Sequence, residues 1–166
     1  MFKKVLLFFK NLFAVRLGSP SDYLIALVGG LFIGYLPGKI VEYLIENYPT
    51  ETPLGLEVVD GVLRGPHDYA FYIMILSVCL IGPIIEELIF RGALWRLLEK
   101  LFNPIIVLAF SSVLFALAHV DPIHIIGVFP IGVFIGWLRY RSDSIFPSIL
   151  AHIINNTAVC LSVVAF

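Results

Sequence analysis

Residues 81–92 read IGPIIEELIFRG and place two adjacent carboxylates and an arginine inside otherwise apolar sequence. The run from Ala70 to Ile85 carries no charged residue. A charged side chain at membrane depth costs ~2.5 to 3.5 kcal/mol on insertion scales. The three charges of this stretch therefore need either partners or a water-filled cavity.

Helical geometry gives the two glutamates different surroundings. Glu87 and Arg91 are four residues apart, so on a helix they share a face and can pair. Glu86 points about 100° away and has no partner within the segment. An unpaired carboxylate in apolar surroundings is a candidate general base or acid. A buried ion pair beside a glutamate that reaches the membrane surface is the alternative, and this stretch alone does not decide between the two.

The whole chain is apolar. Of its 166 residues 60% are hydrophobic and 14% are charged, and the mean hydropathy is +0.98. Soluble domains are about 45–50% apolar and about 25% charged. We therefore predict an integral membrane protein in the lipid bilayer, an all-α polytopic bundle forming a single domain over residues 1–166. No basic domain or base-stacking motif indicates a nucleic-acid partner. Cys79 and Cys160 lie in apolar runs and are expected to be packing residues.

The pattern predicts about five spanning helices after an N-terminal interfacial helix. Residues 1–17 place apolar side chains on one helical face and lysines on the other, which is typical of a helix lying on the membrane. A signal peptide is the weaker alternative, because Lys10 interrupts the apolar run. Residues 49–68 are predicted to be a polar, acidic loop. The predicted spans are 23–36 with its amphipathic continuation to 48, 69–101, 105–119, 123–138 and 145–166.

Three features refine these spans. Pro83 is expected to kink the long helix and to free the carbonyl of Cys79, four residues earlier. Gly132 and Gly136 form a close-packing G-x-x-x-G face. The helices at 105–119 and 123–138 are short for a full crossing, with about 15 residues each against ~20. We therefore expect them to form a hairpin that crosses only in part, with its break inside the membrane.

Basic residues predict the orientation. Lys3, Lys4 and Lys10 precede the first span, and Arg139 and Arg141 separate the last two. Since positive residues favour the cytoplasmic side, the N-terminus is predicted to be cytoplasmic and the acidic loop external.

In this arrangement three helices bring Glu86, His119 and His152 to one cytoplasm-facing cavity. Each residue has a simpler explanation as well. His119 is a possible helix cap, and His152 with Asn156, four residues apart, is a possible contact between helices. His67 and His124 are assigned no role. The coincidence of these groups in so apolar a chain favours a functional site.

Three motifs then resemble those of a known family. Residues 86–91, EELIFR, are similar to E-E-x-x-x-R, residues 115–119, FALAH, to F-x-x-x-H, and residues 152–156, HIINN, to H-x-x-x-N. The chain resembles the CPBP or Abi family, which contains CAAX proteases and bacteriocin-processing or immunity proteins and is related to the type II CAAX prenyl endopeptidase. The resemblance covers about residues 70–160, so a catalytic core is expected at 69–160.

The resemblance implies intramembrane hydrolysis of a peptide bond without a metal or other cofactor, in the cell membrane of a prokaryote. Glu86 would activate water, and His119 would hold or deprotonate that water. His152 and Asn156 would donate hydrogen bonds to the oxyanion, while Glu87 and Arg91 would support the site. The substrate would be a peptide or membrane protein, prenylated or not.

Two alternatives remain open from the residues. Two glutamates and two histidines could bind zinc in a metal-dependent protease, although no H-E-x-x-H helix is present. The chain could also be a non-enzymatic scaffold or bacteriocin-immunity protein that binds a partner through its glycine faces. A transporter is disfavoured because no inverted repeat is visible.

Overall fold

The computed structural model describes residue 11, residues 13–47 and residues 54–165. These residues form helices without any strand, which confirms the predicted all-α bundle. The helices are α1 (Pro20–Phe32), α2 (Tyr35–Asn47), α3 (Leu54–Leu63), α4 (Tyr69–Leu98), α5 (Pro104–Leu117), α6 (Pro122–Ser142) and α7 (Phe146–Ala165). Most of the predicted interfacial helix, residues 1–10 and 12, lies outside the described residues. Residues 13–19, which include its predicted end, form a turn and irregular backbone.

A polar cap followed by proline begins α1, α5 and α6. Ser19 and Asp22 form a reciprocal capping box at the start of α1. The Asn103 side chain accepts from two backbone N–H groups of α5, and the Asp121 side chain accepts from the backbone N–H of His124 in α6. Proline suits the first helical position because no intrahelical acceptor awaits its missing N–H. The three helices therefore begin slightly before the predicted spans, which start at residues 23, 105 and 123.

Four stretches are long and apolar enough to cross a membrane, namely Pro20–Leu44, Tyr69–Leu98, Pro122–Ser142 and Phe146–Val164. The chain is therefore an integral membrane protein. Helix α5 is a shorter apolar helix of 14 residues. At ~1.5 Å per residue it reaches ~21 Å, less than the ~30 Å hydrocarbon core.

The prediction that both central helices are short was wrong for α6, which has 21 residues. The predicted span ends at residue 138, but Arg139 is 1% exposed and the helix continues to Ser142. Asp143, with a φ of 47° in the left-handed region, follows its last turn.

The prediction of a polar loop over residues 49–68 was also wrong in part, because Leu54–Leu63 is helix α3. Leu63, at its end, is 2% exposed and packs with Phe71, Cys79 and Cys160. Leu63 thus buries apolar surface against this cluster, and that burial stabilises a helix in an otherwise acidic segment. Both cysteines are free and buried in this cluster, as expected of packing residues.

Helix α4 is continuous but contains two π-helical stretches, Ser77–Ile81 and Leu88–Leu94. In a π-helix each carbonyl accepts from the N–H five residues later. The N–H that would reach the Val78 carbonyl therefore belongs to Pro83, which has none. Our expectation that Pro83 frees the Cys79 carbonyl assumed α-helical spacing. The π-helical spacing moves the loss to Val78.

Helices α1, α5, α6 and α7 share one core, formed by Ala26, Phe115, Ile131, Ile135, Leu138 and Ala151. The predicted glycine face of α6 lies against α5. A Cβ on Gly132 would lie 2.8 Å from the Phe115 ring, and a Cβ on Gly136 would lie 3.2 Å from the Ser112 hydroxyl. This close packing fixes α5, and with it the segment that ends at His119, against α6.

Candidate active site

Glu87 and Arg91 form the buried centre of the site. Both side chains are 0% exposed, and Arg91 Nη1 donates to Glu87 Oε1 over 3.0 Å. The predicted pairing across one turn of α4 is therefore present. Arg91 Nη2 donates to the carbonyl of Gly132 in α6 over 2.7 Å, and its guanidinium lies 4.4 Å from the centre of the Phe115 ring in α5. One side chain thus joins three helices and supplies the counter-charge that a buried carboxylate needs.

His152 brings α7 to the same carboxylate. Its Nδ1 lies 3.0 Å from Glu87 Oε1, and the residue is 3% exposed. A carboxylate oxygen accepts, so an N–H at Nδ1 donates to it. This bond fixes the orientation of the imidazole ring, as the outer carboxylate does in a histidine–carboxylate pair.

Glu86 faces the other ring nitrogen. Its Oε2 lies 3.7 Å from His152 Nε2, and 35% of its side chain is exposed. The neighbouring glutamates therefore differ sharply, because Glu87 is fully buried and paired whereas Glu86 is accessible. The imidazole of His152 lies between them.

His119 follows the end of α5, where the backbone turns sharply. Val120 has a φ of 63°, in the left-handed region that β-branched residues rarely adopt. His119 Nδ1 lies 3.0 Å from the Phe115 carbonyl. Because a carbonyl can only accept, Nδ1 carries the proton, and Nε2 of the neutral ring is left as an acceptor. The Phe115 ring contacts both His119 and His152, with ring centres 5.1 and 5.5 Å apart.

Asn156 lies one turn beyond His152 on α7. Its Nδ2 donates over 3.0 Å to the Val78 carbonyl, the group that Pro83 leaves without a backbone donor. Asn155 Nδ2 donates to Asn156 Oδ1 over 3.3 Å. Together these contacts fix the amide orientation and leave one N–H of Nδ2 for another acceptor.

Two side chains satisfy carbonyls in the second π-helical stretch, where the ordinary spacing is lost. The Ser111 hydroxyl donates to the Phe90 carbonyl, and Arg139 Nε donates to the Arg91 carbonyl, each over 3.1 Å. The π-helical turns that carry Arg91 are thus held from both α5 and α6.

The structure therefore brings Glu86, Glu87, Arg91 and His152 into direct contact, and it places His119 on the same aromatic ring as His152. Sequence reasoning missed three contributors. His124, which we assigned no role, packs against His119 with ring centres 4.7 Å apart. Arg139 was predicted to be a charged residue at a helix end, and Phe115 was noted as part of a motif but given no function. The position of His124 on the first turn after the Asp121 cap was the available signal for its proximity.

The described residues contain no group of three or more His, Cys, Asp or Glu side chains arranged to hold a metal ion.

A family profile and a curated relative match this chain. The sequence profile of the family described as type II CAAX prenyl endopeptidase Rce1-like matches residues 68–158, more than half of the chain. The chain belongs to this family. The matched stretch of this Rce1-like chain contains the segments that build the site, from α4 to α7.

A curated relative is YdiL of Bacillus subtilis, provisionally named a membrane peptidase. It is 28% identical over 137 residues, which cover 81% of this chain and 54% of YdiL. The chain thus spans about half the length of this relative. No solved structure matches the chain at a significant level.

Proposed function

We propose that this Rce1-like chain is an intramembrane endopeptidase that uses Glu86 to activate water, without a metal. The observation that carries the proposal is the contrast between the two glutamates. Glu86 keeps 35% of its side chain exposed beside His152, while Glu87 is 0% exposed and paired with Arg91. The accessible carboxylate can meet a water molecule and a substrate, and the buried one cannot.

In the first step a water oxygen attacks the peptide carbonyl carbon. Glu86 takes the water proton, and the carbonyl π electrons move to the oxygen to give a tetrahedral oxyanion. His119 Nε2, an acceptor when Nδ1 donates to Phe115, would hold the water for attack. In the second step the oxyanion electrons re-form the carbonyl and the C–N bond breaks. Its electron pair goes to the leaving nitrogen, which takes the proton from Glu86. General-base catalysis of this kind contributes about 10²–10⁴-fold.

The oxyanion would be bound by α7. His152, with its ring orientation fixed through Nδ1, directs Nε2 to the side where Glu86 lies and would donate from it when protonated there. Asn156 has a second N–H on Nδ2 besides the one given to Val78. A preorganised oxyanion donor is worth ~2.7–4 kcal/mol in acyl transfer.

The substrate would be a peptide or a segment of a membrane protein. The apolar helices that surround the site would bring the peptide from the lipid bilayer, and the family description makes prenylated C-terminal peptides the first class to test. The proposed setting is the cell membrane, with the N-terminus on the cytoplasmic side and the catalytic core at residues 69–160 within one domain.

The test is cleavage of a panel of quenched-fluorescent peptides, prenylated and unmodified, by the purified chain in detergent or lipid. Glu86→Gln keeps the side-chain shape and should lower kcat by about 10²–10⁴-fold. The control is Glu42→Gln, since Glu42 lies in an exposed pair with Lys39, and it should leave cleavage unchanged.

Three outcomes would contradict the proposal. Cleavage that is lost to a chelator and restored by zinc would assign the reaction to a metal. Glu86→Gln that cleaves at the wild-type rate would remove Glu86 from the mechanism. Wild-type protein that cleaves no peptide, together with a cellular phenotype that survives Glu86→Gln, would indicate a binding protein.

A further inference from the structure

A cluster of charged residues outside the candidate active site lines a cavity where three parts of the chain meet. Arg16, ahead of α1, pairs with Asp143 in the turn between α6 and α7. Arg96, near the end of α4, donates from Nε to the Asn11 carbonyl over 2.8 Å. A cavity of about 720 Å³ opens between these segments, and its lining includes Arg16, Ala93, Arg96, Leu97, Glu99 and Lys100.

The lining carries an excess of positive charge. Three cationic side chains face one carboxylate, Glu99. That carboxylate is already engaged, because Oε1 accepts from Trp95 Nε1 over 2.6 Å and Oε2 accepts from Arg96 Nη1 over 2.8 Å. Within the described residues Lys100 makes no ion pair, and Arg16 keeps most of its five N–H donors after its bond to Asp143. The free donors of the cavity therefore suit an anion with several acceptor oxygens, such as a phosphate.

Exposed leucines lie in or next to the segments that line the cavity. Leu97, which lines it, is 56% exposed, and Leu101 and Leu17 nearby in sequence are 71% and 86% exposed. The cavity lies at the last turn of the span Tyr69–Leu98, which is where a membrane helix reaches the headgroup region. Its volume is within the range of about 300–1,000 Å³ found for small-molecule sites.

We propose that this cavity binds the phosphate headgroup of an anionic glycerophospholipid, whose acyl chains lie against the exposed leucines at the end of α4. Basic pockets at the ends of membrane helices recognise lipids through such headgroups, and each nearby Lys or Arg strengthens the attraction about 5-fold. The site is independent of the proposed peptidase activity, because none of its lining residues belongs to the group around Glu86.

The test measures the thermal unfolding midpoint of the purified chain in neutral detergent micelles. Dioleoylphosphatidylglycerol is titrated in, with dioleoylphosphatidylcholine as the zwitterionic comparison. Sodium phosphate and glycerol 3-phosphate at matched ionic strength form two further arms. A ligand that binds only the folded state stabilises it by RT ln(1 + [L]/Kd), so the lipid concentration needed for a given rise of the midpoint reports the affinity.

The test variant is Arg16→Gln with Lys100→Gln. We expect phosphatidylglycerol to raise the wild-type midpoint, phosphatidylcholine not to raise it, and the double variant to need about 20-fold more phosphatidylglycerol. The control, Lys39→Gln with Arg64→Gln, removes two cations from a different cavity and should stay within about 2-fold of wild type. Should the test variant unfold without added lipid, Lys100→Gln alone should show a loss of about 5-fold.

Equal response to both lipids would overturn the proposal. So would equal weakening in both double variants, because that would reflect net charge. If phosphate or glycerol 3-phosphate shifted the midpoint at the same concentrations as the lipid, the cavity would be a site for free phosphate and the lipid assignment would be wrong.

Discussion

The buried Glu87–Arg91 pair predicts that removing both charges harms the protein less than removing one. Arg91→Met takes away the guanidinium and leaves a flexible apolar chain on the Phe115 ring. The Glu87 carboxylate then stays 0% exposed with His152 as its remaining hydrogen-bond partner among the described residues, since Oε2 has none there. Breaking a buried ion pair in this way costs ~3–5 kcal/mol. The Gly132 carbonyl adds little, because it also accepts from the Ser112 hydroxyl.

The second substitution, Glu87→Leu, should reverse part of this loss. With both charges gone the interior of the bundle is apolar at this point, and such replacements are often nearly neutral. The cost that remains is the buried N–H of His152, which loses its acceptor, at ~1–3 kcal/mol. The double variant Glu87→Leu with Arg91→Met should therefore be more stable than Arg91→Met alone by roughly 2 kcal/mol.

The assay is the free energy of unfolding in mixed micelles, followed by circular dichroism as denaturing detergent replaces the mild one. The chain offers a matched control at the same helical spacing. Asp60 and Arg64 also pair over 3.0 Å, but both side chains are about half exposed. Their double-mutant cycle should give a coupling below ~0.5 kcal/mol. If the effects of the two substitutions at Glu87 and Arg91 simply add, so that the double variant is the least stable of the series, the reasoning from a desolvated charge pair is refuted.

Two further predictions concern packing and backbone satisfaction. Asn156→Ala should cost ~1–3 kcal/mol in unfolding free energy, because the Val78 carbonyl loses its donor. Pro83→Ala restores a backbone N–H that can reach this carbonyl, so in the Asn156→Ala background it should recover part of that cost. If the effects of the two substitutions on the unfolding free energy simply add, the two residues do not act on the same carbonyl. Gly30→Ala should destabilise by ~1–3 kcal/mol, since its Cβ would lie 2.7 Å from the Ala151 carbonyl oxygen of α7. Gly61→Ala, where no atom of the described residues lies within 4 Å of the added Cβ, should be neutral or stabilising by up to ~1 kcal/mol. Equal losses at both glycines would refute the packing argument.

The local features of this fold could be predicted from the sequence because their causes are local. A cap followed by proline begins α1, α5 and α6, and the spacing of Glu87 and Arg91 is enough to pair them on α4. The apolar composition is enough to indicate a membrane bundle. The caps and the ion pair each join residues within a few positions of one another, and composition does not depend on contacts at all.

The remaining features depend on tertiary contacts. The π-helical stretches of α4 are stabilised by hydrogen-bond donors from α5, α6 and α7, namely Ser111, Arg139 and Asn156. The sequence of α4 alone does not predict them. Arg139 looked like the end of α6 because a charge after an apolar run usually marks the membrane surface. It is instead buried, with its guanidinium 5.3 Å from the centre of the Trp95 ring, so the helix extends past it. The contact of His152 with Glu87 joins residues 65 positions apart.

Under the proposed mechanism, the two neighbouring glutamates have different tasks in holding a reactive carboxylate inside the membrane. Arg91 pairs with Glu87 and binds it into the core, so Glu87 can orient the imidazole of His152 through Nδ1. That orientation directs Nε2 toward Glu86 on the accessible side. The structural carboxylate therefore positions the ring, and within the described residues no arginine forms an ion pair with the accessible one. If Glu86 were also paired to a buried arginine, neither carboxylate would be free to meet a water molecule.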